Sequence, residues 1–207
     1  MTTFEIDTPH GRANAHLHPA DAERASLVLG HGAGGGVTAR DLVTVTDVAL
    51  SQGISVVLVE QPYRVAGRRS PAPSHQLDAA WMAVVEHLRA GELRGLPLLV
   101  GGRSSGARVA CRTAGATGAV GVLCLAFPLR PPRRSGAEPA PSRLAELDAV
   151  TVPTLVVQGA RDPFGIPPAA ERRTVVQVEA DHGLKTDLQA VAAAVRAWFL
   201  QLGLASG

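Results

Sequence analysis

One serine stands in a pattern that could make it a nucleophile. Gly102, Ser104 and Gly106 form a Gly-x-Ser-x-Gly motif, which directly follows the apolar run 98–100 and precedes a run of small residues. A buried strand, a tight turn and a helix in this order lift the serine hydroxyl out of a sheet, and a side chain at either glycine would clash there. This context predicts acyl transfer through Ser104. The alternative is a glycine-rich turn that holds a phosphate at the helix N-terminus.

A serine hydroxyl needs a base to take its proton and a carboxylate to orient that base. In enzymes with this turn, the acid and then the histidine follow the serine along the chain. His182 is the one histidine after Ser104, and Asp162 follows the preceding predicted strand, so these two residues are the predicted partners. Asp162 could instead be a turn aspartate before a proline. Asp181 is the competing carboxylate, disfavoured because adjacent side chains usually point apart.

Acyl transfer also needs hydrogen-bond donors for the developing oxyanion. The backbone N–H of Ser105 is one predicted donor, and Ala33 or Gly34 in the glycine-rich run 30–36 is the other. A phosphate-binding loop is the alternative for this run. It lacks the Gly-Lys-Ser/Thr of a P-loop and is not a clean Gly-x-Gly-x-x-Gly, which disfavours nucleotide binding. We predict no cofactor and no metal.

Four further side chains are candidates for substrate binding. His31 lies in the glycine-rich run, and Tyr63 and Arg64 follow the second central strand, where ligands bind in parallel sheets. Tyr63 and Arg64 could line an anion-accepting mouth, although a solvated basic loop is an equally good interpretation. Arg103, next to Ser104, could contact a substrate carboxylate or pair with a nearby acid.

The elements that must position these groups follow from hydrophobic periodicity. The sequence predicts an edge hairpin over 4–18 with its turn at 9–11, strands at 26–29, 54–59, 96–100, 120–127, 154–158 and 175–179, and helices at 41–51, 74–90, 105–114 and 188–202. Ser74 is the predicted cap of the second helix. Strands that are near-continuous Val/Leu runs, alternating with helices, predict an α/β fold with a mostly parallel sheet covered on both faces. The Pro- and Arg-rich segment 129–142 is predicted as a long surface loop that could act as a flap over the site.

Composition limits the class of protein. The chain has 207 residues, of which 46% are hydrophobic and 18% charged, as expected for one globular domain over residues 1–207. A net charge of +2 gives no reason to expect a nucleic-acid partner. No apolar run approaches the roughly 18 residues of a membrane span, and residues 1–9 lack a signal-peptide core, so we expect a cytoplasmic protein. The two cysteines, Cys111 and Cys124, are predicted as buried free thiols.

Four segments, taken in their order along the chain, match the pattern of a known protein family. Residues 31–35, 102–106, 127–129 and 158–165 together resemble the KANL3/Tex30-type branch of the α/β-hydrolases, close to the dienelactone-hydrolase-like proteins. The resemblance spans most of the chain from residue 26 onward. It implies an α/β-hydrolase fold with a minimal or absent cap domain, and the triad Ser104, Asp162 and His182. One difference is that Ser105, rather than a bulkier residue such as methionine, follows the nucleophile.

Two functions are compatible with this sequence. The first is a serine hydrolase that cleaves a small-molecule ester, thioester or lactone, as a monomer or a homodimer. The second is a non-catalytic interaction module that keeps the hydrolase fold, since some members of the resembled branch act within protein assemblies. A chain that keeps a serine, an aspartate, a histidine and a glycine-rich loop favours the enzyme.

Overall fold

The computed structural model describes residues 1–131 and 140–204. It contains eight strands: β1 (Thr2–Thr8), β2 (Gly11–His18), β3 (Ala25–Gly30), β4 (Ile54–Glu60), β5 (Leu98–Arg103), β6 (Gly121–Leu125), β7 (Thr154–Gly159) and β8 (Arg173–Val178). The helices are α1 (Arg40–Ser51), α2 (Pro62–Val65), α3 (Ser74–Ala90), α4 (Ser105–Thr117), α5 (Leu144–Asp148) and α6 (Leu188–Gln201).

The strands form one sheet in the order β1-β2-β4-β3-β5-β6-β7-β8. β1 and β2 form the predicted antiparallel hairpin at one edge, and β2 is antiparallel to β4. From β4 to β8 every pairing is parallel. The carboxyl ends of β3, β5, β7 and β8 therefore meet at one edge of the sheet, where the loops that follow these strands come together.

Helices cover both faces of the sheet, which is why its central strands are mostly apolar. On one face the core is built around α3 and α4, with Trp81, Val85 and Val109 buried against the sheet. On the other face α1 and α6 supply buried side chains such as Val45 and Phe199. The sequence-based prediction of an α/β fold with both faces covered is confirmed. In the part of the chain described, α5 is the one helix between β6 and β7, so no cap domain is inserted there.

The structure differs from the predicted elements in a few places. β5 continues through Gly101 and Gly102 instead of breaking there, because both residues pair with β6. Ser74 is the first residue of α3 and makes no capping hydrogen bond, so its predicted role was wrong. The short helices α2 and α5 were not predicted.

The predicted loop 129–142 is described at its two ends, whereas residues 132–139 lie outside the described part of the chain. The Arg130 N–H donates to the Phe164 carbonyl, and the Arg143 N–H donates to the Leu129 carbonyl, each at 2.9 Å. These bonds fix both ends of the loop beside the segment that follows β7. The expectation that the loop acts as a flap stays a prediction.

The two cysteines are free and buried, as predicted, with their sulfur atoms 3.4 Å apart. The hydrogen bond with Cys111 and burial together raise the pKa of the Cys124 thiol. Both cysteines pack in the core on the face covered by α3 and α4. None of the helices in the described ranges is both long and apolar enough to cross a membrane.

Candidate active site

Ser104 lies in the turn between β5 and α4, and its backbone is strained. Its φ of 52° and ψ of −107° are unusual for a residue with a side chain. The N–H of Ser104 donates to the Leu125 carbonyl at 2.9 Å, which holds the turn against β6. This conformation places Ser104 at the carboxyl edge of the sheet, as the motif predicted.

The flanking glycines allow α4 to approach β3. A Cβ on Gly102 would lie 2.5 Å from the Gly30 carbonyl oxygen, and a Cβ on Gly106 would run into the same atom. The Gly30 carbonyl cannot move away easily, since Gly30 ends β3, a central strand that pairs on both sides. The space around Ser104 therefore requires glycine at both positions of the motif.

Substitution of Gly106 tests this packing. We expect Gly106→Ala to destabilise the fold by about 1–3 kcal/mol, as overpacking against fixed backbone does. Gly115 in the same helix is a matched control, because nothing lies within 4 Å of a Cβ built there. Gly115→Ala should be neutral or add about 0.5–1 kcal/mol through its better helix propensity. Urea unfolding of both variants measures the difference, and equal stabilities would contradict this account of the turn.

His182 and Asp162 reach Ser104 from two other loops. His182 lies in the loop between β8 and α6, and its Nε2 is 2.9 Å from Ser104 Oγ. Its Nδ1 is 2.8 Å from Oδ2 of Asp162, in the loop after β7. Because an ionised carboxylate accepts hydrogen bonds, the Nδ1–H donates to it and leaves Nε2 free to accept the hydroxyl proton of Ser104. The structure thus places the three predicted residues in one continuous chain of contacts.

Asp162 is held by donors that sequence reasoning missed. Its side chain is fully buried. Oδ2 also accepts a hydrogen bond from Gln158 Nε2 at 2.7 Å, and Oδ1 accepts one from the Phe164 N–H at 2.8 Å. The same Nε2 lies 3.1 Å from the Phe127 carbonyl oxygen and 2.9 Å from that of Gly165, so its two hydrogens are shared among three acceptors that surround the amide. Together with His182 Nδ1–H, these two donors satisfy both oxygens of the carboxylate and hold it facing the imidazole.

The ring of Phe164 packs on the imidazole. The two ring centroids are 4.2 Å apart, with 36° between the ring planes. This contact helps to hold the orientation of the His182 ring. The signal for both Gln158 and Phe164 was present in the segment 158–165, but the pattern of residue types did not assign them a contact.

The competing carboxylate, Asp181, is used differently. Its side chain is exposed, and Oδ1 accepts a hydrogen bond from the Gly183 N–H at 2.7 Å. Asp181 therefore shapes the loop that carries His182. Among the residues described, the carboxylate that contacts the imidazole is that of Asp162.

The glycine-rich loop after β3 lies against Ser104. A Cβ built on Gly32 would be 3.7 Å from Ser104 Cβ, so the loop passes directly beside the serine. Ala33 is tied to α2, because the Tyr63 hydroxyl donates to its carbonyl oxygen at 3.0 Å. Ser105 begins α4, where the first backbone N–H groups of a helix have no partner within the helix. The predicted oxyanion donors thus belong to the two segments that flank Ser104.

Two of the predicted substrate-binding side chains face the protein. His31 is 3% exposed; its Nδ1 donates to the Gly32 carbonyl and its Nε2 accepts from the Gln61 N–H. Burial lowers the pKa of His31, consistent with a neutral ring held between two loops. Tyr63 is 5% exposed and supports Ala33. Both residues shape the glycine-rich loop, and neither presents a free ring nitrogen or hydroxyl hydrogen to a ligand.

The remaining two are arginines in different surroundings. Arg64 is half-buried on α2 and makes no side-chain hydrogen bond or ion pair within residues 1–131 and 140–204. Arg103 is 3.0 Å from Oδ2 of Asp41, an ion pair with a residue of α1 that sequence reasoning had not named. The second of the two interpretations of Arg103, pairing with a nearby acid, is therefore the one that the geometry realises.

Two recesses are each lined by a residue that supports the site, Tyr63 in one and Phe164 in the other. One, of about 300 Å³, lies between the β1–β2 turn, α2 and α3, and Tyr63 separates it from the glycine-rich loop. The other, of about 390 Å³, is lined by Phe164, whose ring packs on His182.

In the described ranges no group of three or more His, Cys, Asp or Glu side chains could hold a metal ion.

Comparison with known proteins agrees with this architecture. The family described as "Alpha/beta hydrolase domain" matches residues 23–191. A search of curated proteins returned no match.

Three solved structures illustrate the likeness of fold. An α/β serine hydrolase without a lid from Xanthomonas campestris has 19% identity and a TM-score of 0.77, over 97% of this chain and 94% of that one. Est1E from Butyrivibrio proteoclasticus has 15% identity and a TM-score of 0.77, over 97% and 98% of the two chains. Dienelactone hydrolase from Anabaena variabilis has 17% identity and a TM-score of 0.76, over 97% and 96%. With the family match covering most of the sequence, the chain belongs to the α/β-hydrolase family.

Proposed function

We propose that the protein is a serine hydrolase that cleaves a small ester, thioester or lactone through an acyl-enzyme on Ser104. The observation that carries the proposal is the contact chain from Ser104 Oγ through His182 to Asp162, with distances of 2.9 and 2.8 Å. This contact chain supports the proposal because the nucleophile, the base and the acid come from three separate segments, which are brought together only by the fold. Within the family, we place the chain in the KANL3/Tex30-type branch.

The reaction proceeds in two halves. In the first, His182 Nε2 takes the proton of the Ser104 hydroxyl while Oγ attacks the acyl carbon, and a tetrahedral oxyanion forms. The C–O or C–S bond to the leaving group then breaks as His182 returns the proton to it. In the second half, His182 takes a proton from water, the hydroxide attacks the acyl-enzyme, and Ser104 leaves with that proton. Asp162 stays ionised throughout and balances the charge on the imidazole.

The oxyanion would be bound by main-chain N–H groups. We assign Ser105 as one donor and Ala33 or Gly34 as the other, because the glycine-rich loop passes beside Ser104. Donors fixed in a helix start and a braced loop need no reorganisation as charge develops on the oxygen. His31 and Tyr63 hold this loop in place instead of contacting the substrate themselves.

A fluorophosphonate probe tests the proposal, because it phosphonylates serines that a histidine has activated. We expect stoichiometric labelling of the native protein, with the adduct on the peptide that contains Ser104. Turnover of a panel of small 4-nitrophenyl esters, thioesters and lactones then identifies the preferred bond. Absence of both labelling and turnover would favour a non-catalytic module with a hydrolase fold.

Tyr63→Phe tests the support of the oxyanion loop. The substitution removes the hydrogen bond to the Ala33 carbonyl and little else, since Tyr63 is 5% exposed and its ring stays packed. A lost neutral hydrogen bond is worth about 1 kcal/mol, so we expect a several-fold lower kcat on small esters. The rate constant of fluorophosphonate labelling should fall with it. An unchanged kcat would show that the hydrogen bond from Tyr63 to Ala33 does not contribute to catalysis.

A further inference from the structure

We propose that Arg103 is a positioning residue that holds the His182 loop and the glycine-rich loop against Ser104. This inference rests on the proposed hydrolase function and adds to it a residue outside the triad. Arg103 is the last residue of β5 and directly precedes Ser104, so its side chain starts from a central strand of the sheet. Its guanidinium group contacts three other segments of the chain.

Each edge of the guanidinium meets a different segment. Nη2 donates a hydrogen bond of 3.1 Å to the backbone carbonyl of His182. Nη1 would lie 2.7 Å from a Cβ on Gly32, so this edge lies directly against the glycine-rich loop. Nε is 3.0 Å from Oδ2 of Asp41 on α1. Planar groups with several donors suit such bridging, which a lysine ammonium cannot reproduce.

Asp41 is the buried charge partner of this guanidinium. Its side chain is 1% exposed, and Oδ1 accepts a hydrogen bond from the Leu42 N–H at 3.0 Å. Burial raises the pKa of the Asp41 carboxyl, whereas the charge of Arg103 lowers it. Buried ion pairs contribute little net stability, because desolvation offsets their attraction. What the pair supplies here is a buried countercharge 3.0 Å from Nε of Arg103, which favours keeping the guanidinium at this place without an aligned hydrogen bond to Oδ2.

The contact with the His182 carbonyl matters because the imidazole belongs to a loop. His182 Nε2 must stay close to the 2.9 Å it now keeps from Ser104 Oγ. The side chain of His182 is anchored by Asp162, and its backbone by Arg103. Misplacement of a reacting group by about 1 Å costs on the order of 10²-fold in rate. Loss of the backbone anchor should therefore slow the chemical step without changing how substrate binds.

Arg103→Ala tests the proposal on two substrates of opposite character: neutral 4-nitrophenyl acetate and anionic 4-nitrophenyl hemisuccinate. We expect kcat to fall roughly 10–100-fold on both esters, with KM changed by less than about 2-fold. A residue that binds a substrate carboxylate would instead raise KM for the anionic ester alone. That result, or an unchanged kcat, would overturn the positioning role.

Two further variants control for stability. Arg108→Ala removes a half-buried arginine of α4 that pairs with Glu146 at 2.9 Å, so it also breaks an ion pair but leaves the site untouched. We expect its kcat to match the native value. Arg103→Lys keeps the charge and serves if the alanine variant does not fold. One ammonium cannot serve Asp41 and the His182 carbonyl together, so kcat should fall roughly 3–10-fold, and full activity would overturn the proposal.

Fluorophosphonate labelling of the native protein separates this inference from the proposed function. If the native protein is not labelled and turns over no ester, the hydrolase itself is refuted. If the native protein is labelled and Arg103→Ala reacts at the same rate, the positioning role alone is refuted. Slower labelling of Arg103→Ala, with Arg108→Ala at the native rate, supports both.

Discussion

Replacement of Ser104 by alanine is expected to abolish ester turnover and fluorophosphonate labelling, with a loss in kcat on the order of 10⁴–10⁶-fold. The substitution removes the one atom that would bond to the acyl carbon. It leaves His182 and Asp162 in contact with each other, since their hydrogen bond does not involve Ser104. We expect any residual rate to come from the proposed oxyanion donors and from general base activation of water.

Ser105→Ala is the matched control for this prediction. Ser105 is the next residue and has the same side chain, but it begins α4, and its proposed contribution is its backbone N–H, which alanine keeps. We expect its kcat to stay within about 3-fold of the native value. If Ser105→Ala were inactive and Ser104→Ala active, the nucleophile would be Ser105 and the role of the strained turn would need another explanation.

The strand–turn–helix around Ser104 could be predicted because burial dictates its sequence. Strands covered on both faces are mostly apolar, and the runs 26–29, 54–59 and 154–158 are Val, Leu and Ile apart from four residues that are polar but buried: Ser26, Ser55, Thr154 and Gln158. The glycines gave a less direct signal. Gly101 and Gly102 were expected to end β5, since glycine weakens a strand. In the structure a Cβ on Gly101 would lie 2.5 Å from the Leu123 carbonyl, so close packing requires glycine inside the strand.

The contacts that support Ser104, His182 and Asp162 could not be predicted from the sequence, for a different reason. Asp41 of α1 pairs with Arg103, and Tyr63 of α2 bonds to Ala33, although the partners lie about 60 and 30 residues apart in the chain. No spacing rule connects such positions, because their distance depends on how the helices pack on the sheet. His31 shows the same limit, since its place in a glycine-rich loop suggested a ligand contact, whereas both ring nitrogens bond to backbone. The sequence predicted which groups could react but not which groups hold them.

The second large expected effect is that of Asp162, the proposed acid. We expect Asp162→Asn to lower kcat roughly 10³–10⁴-fold, because the substitution conflicts with the donors that surround the carboxylate. Oδ2 accepts from His182 Nδ1–H and Gln158 Nε2–H, and Oδ1 accepts from the Phe164 N–H. An amide nitrogen at either place faces a donor. The nearest relief is for the imidazole to move its hydrogen to Nε2, where it can no longer accept the proton of Ser104.

Asp181→Asn provides the comparison that makes the assignment of the acid decisive. Asp181 is exposed, and its Oδ1 accepts one hydrogen bond from the Gly183 N–H, which an asparagine oxygen still accepts. We expect its kcat to remain within about 3-fold of the native value at neutral pH. Both substitutions replace one carboxylate oxygen by an amide NH2 group, at the two carboxylates that compete for the role of the acid. Steady-state turnover of 4-nitrophenyl acetate, with circular dichroism to verify folding, measures both. A large loss in Asp181→Asn together with an active Asp162→Asn would transfer the acid to Asp181, and the buried carboxylate with its three donors would then be structural.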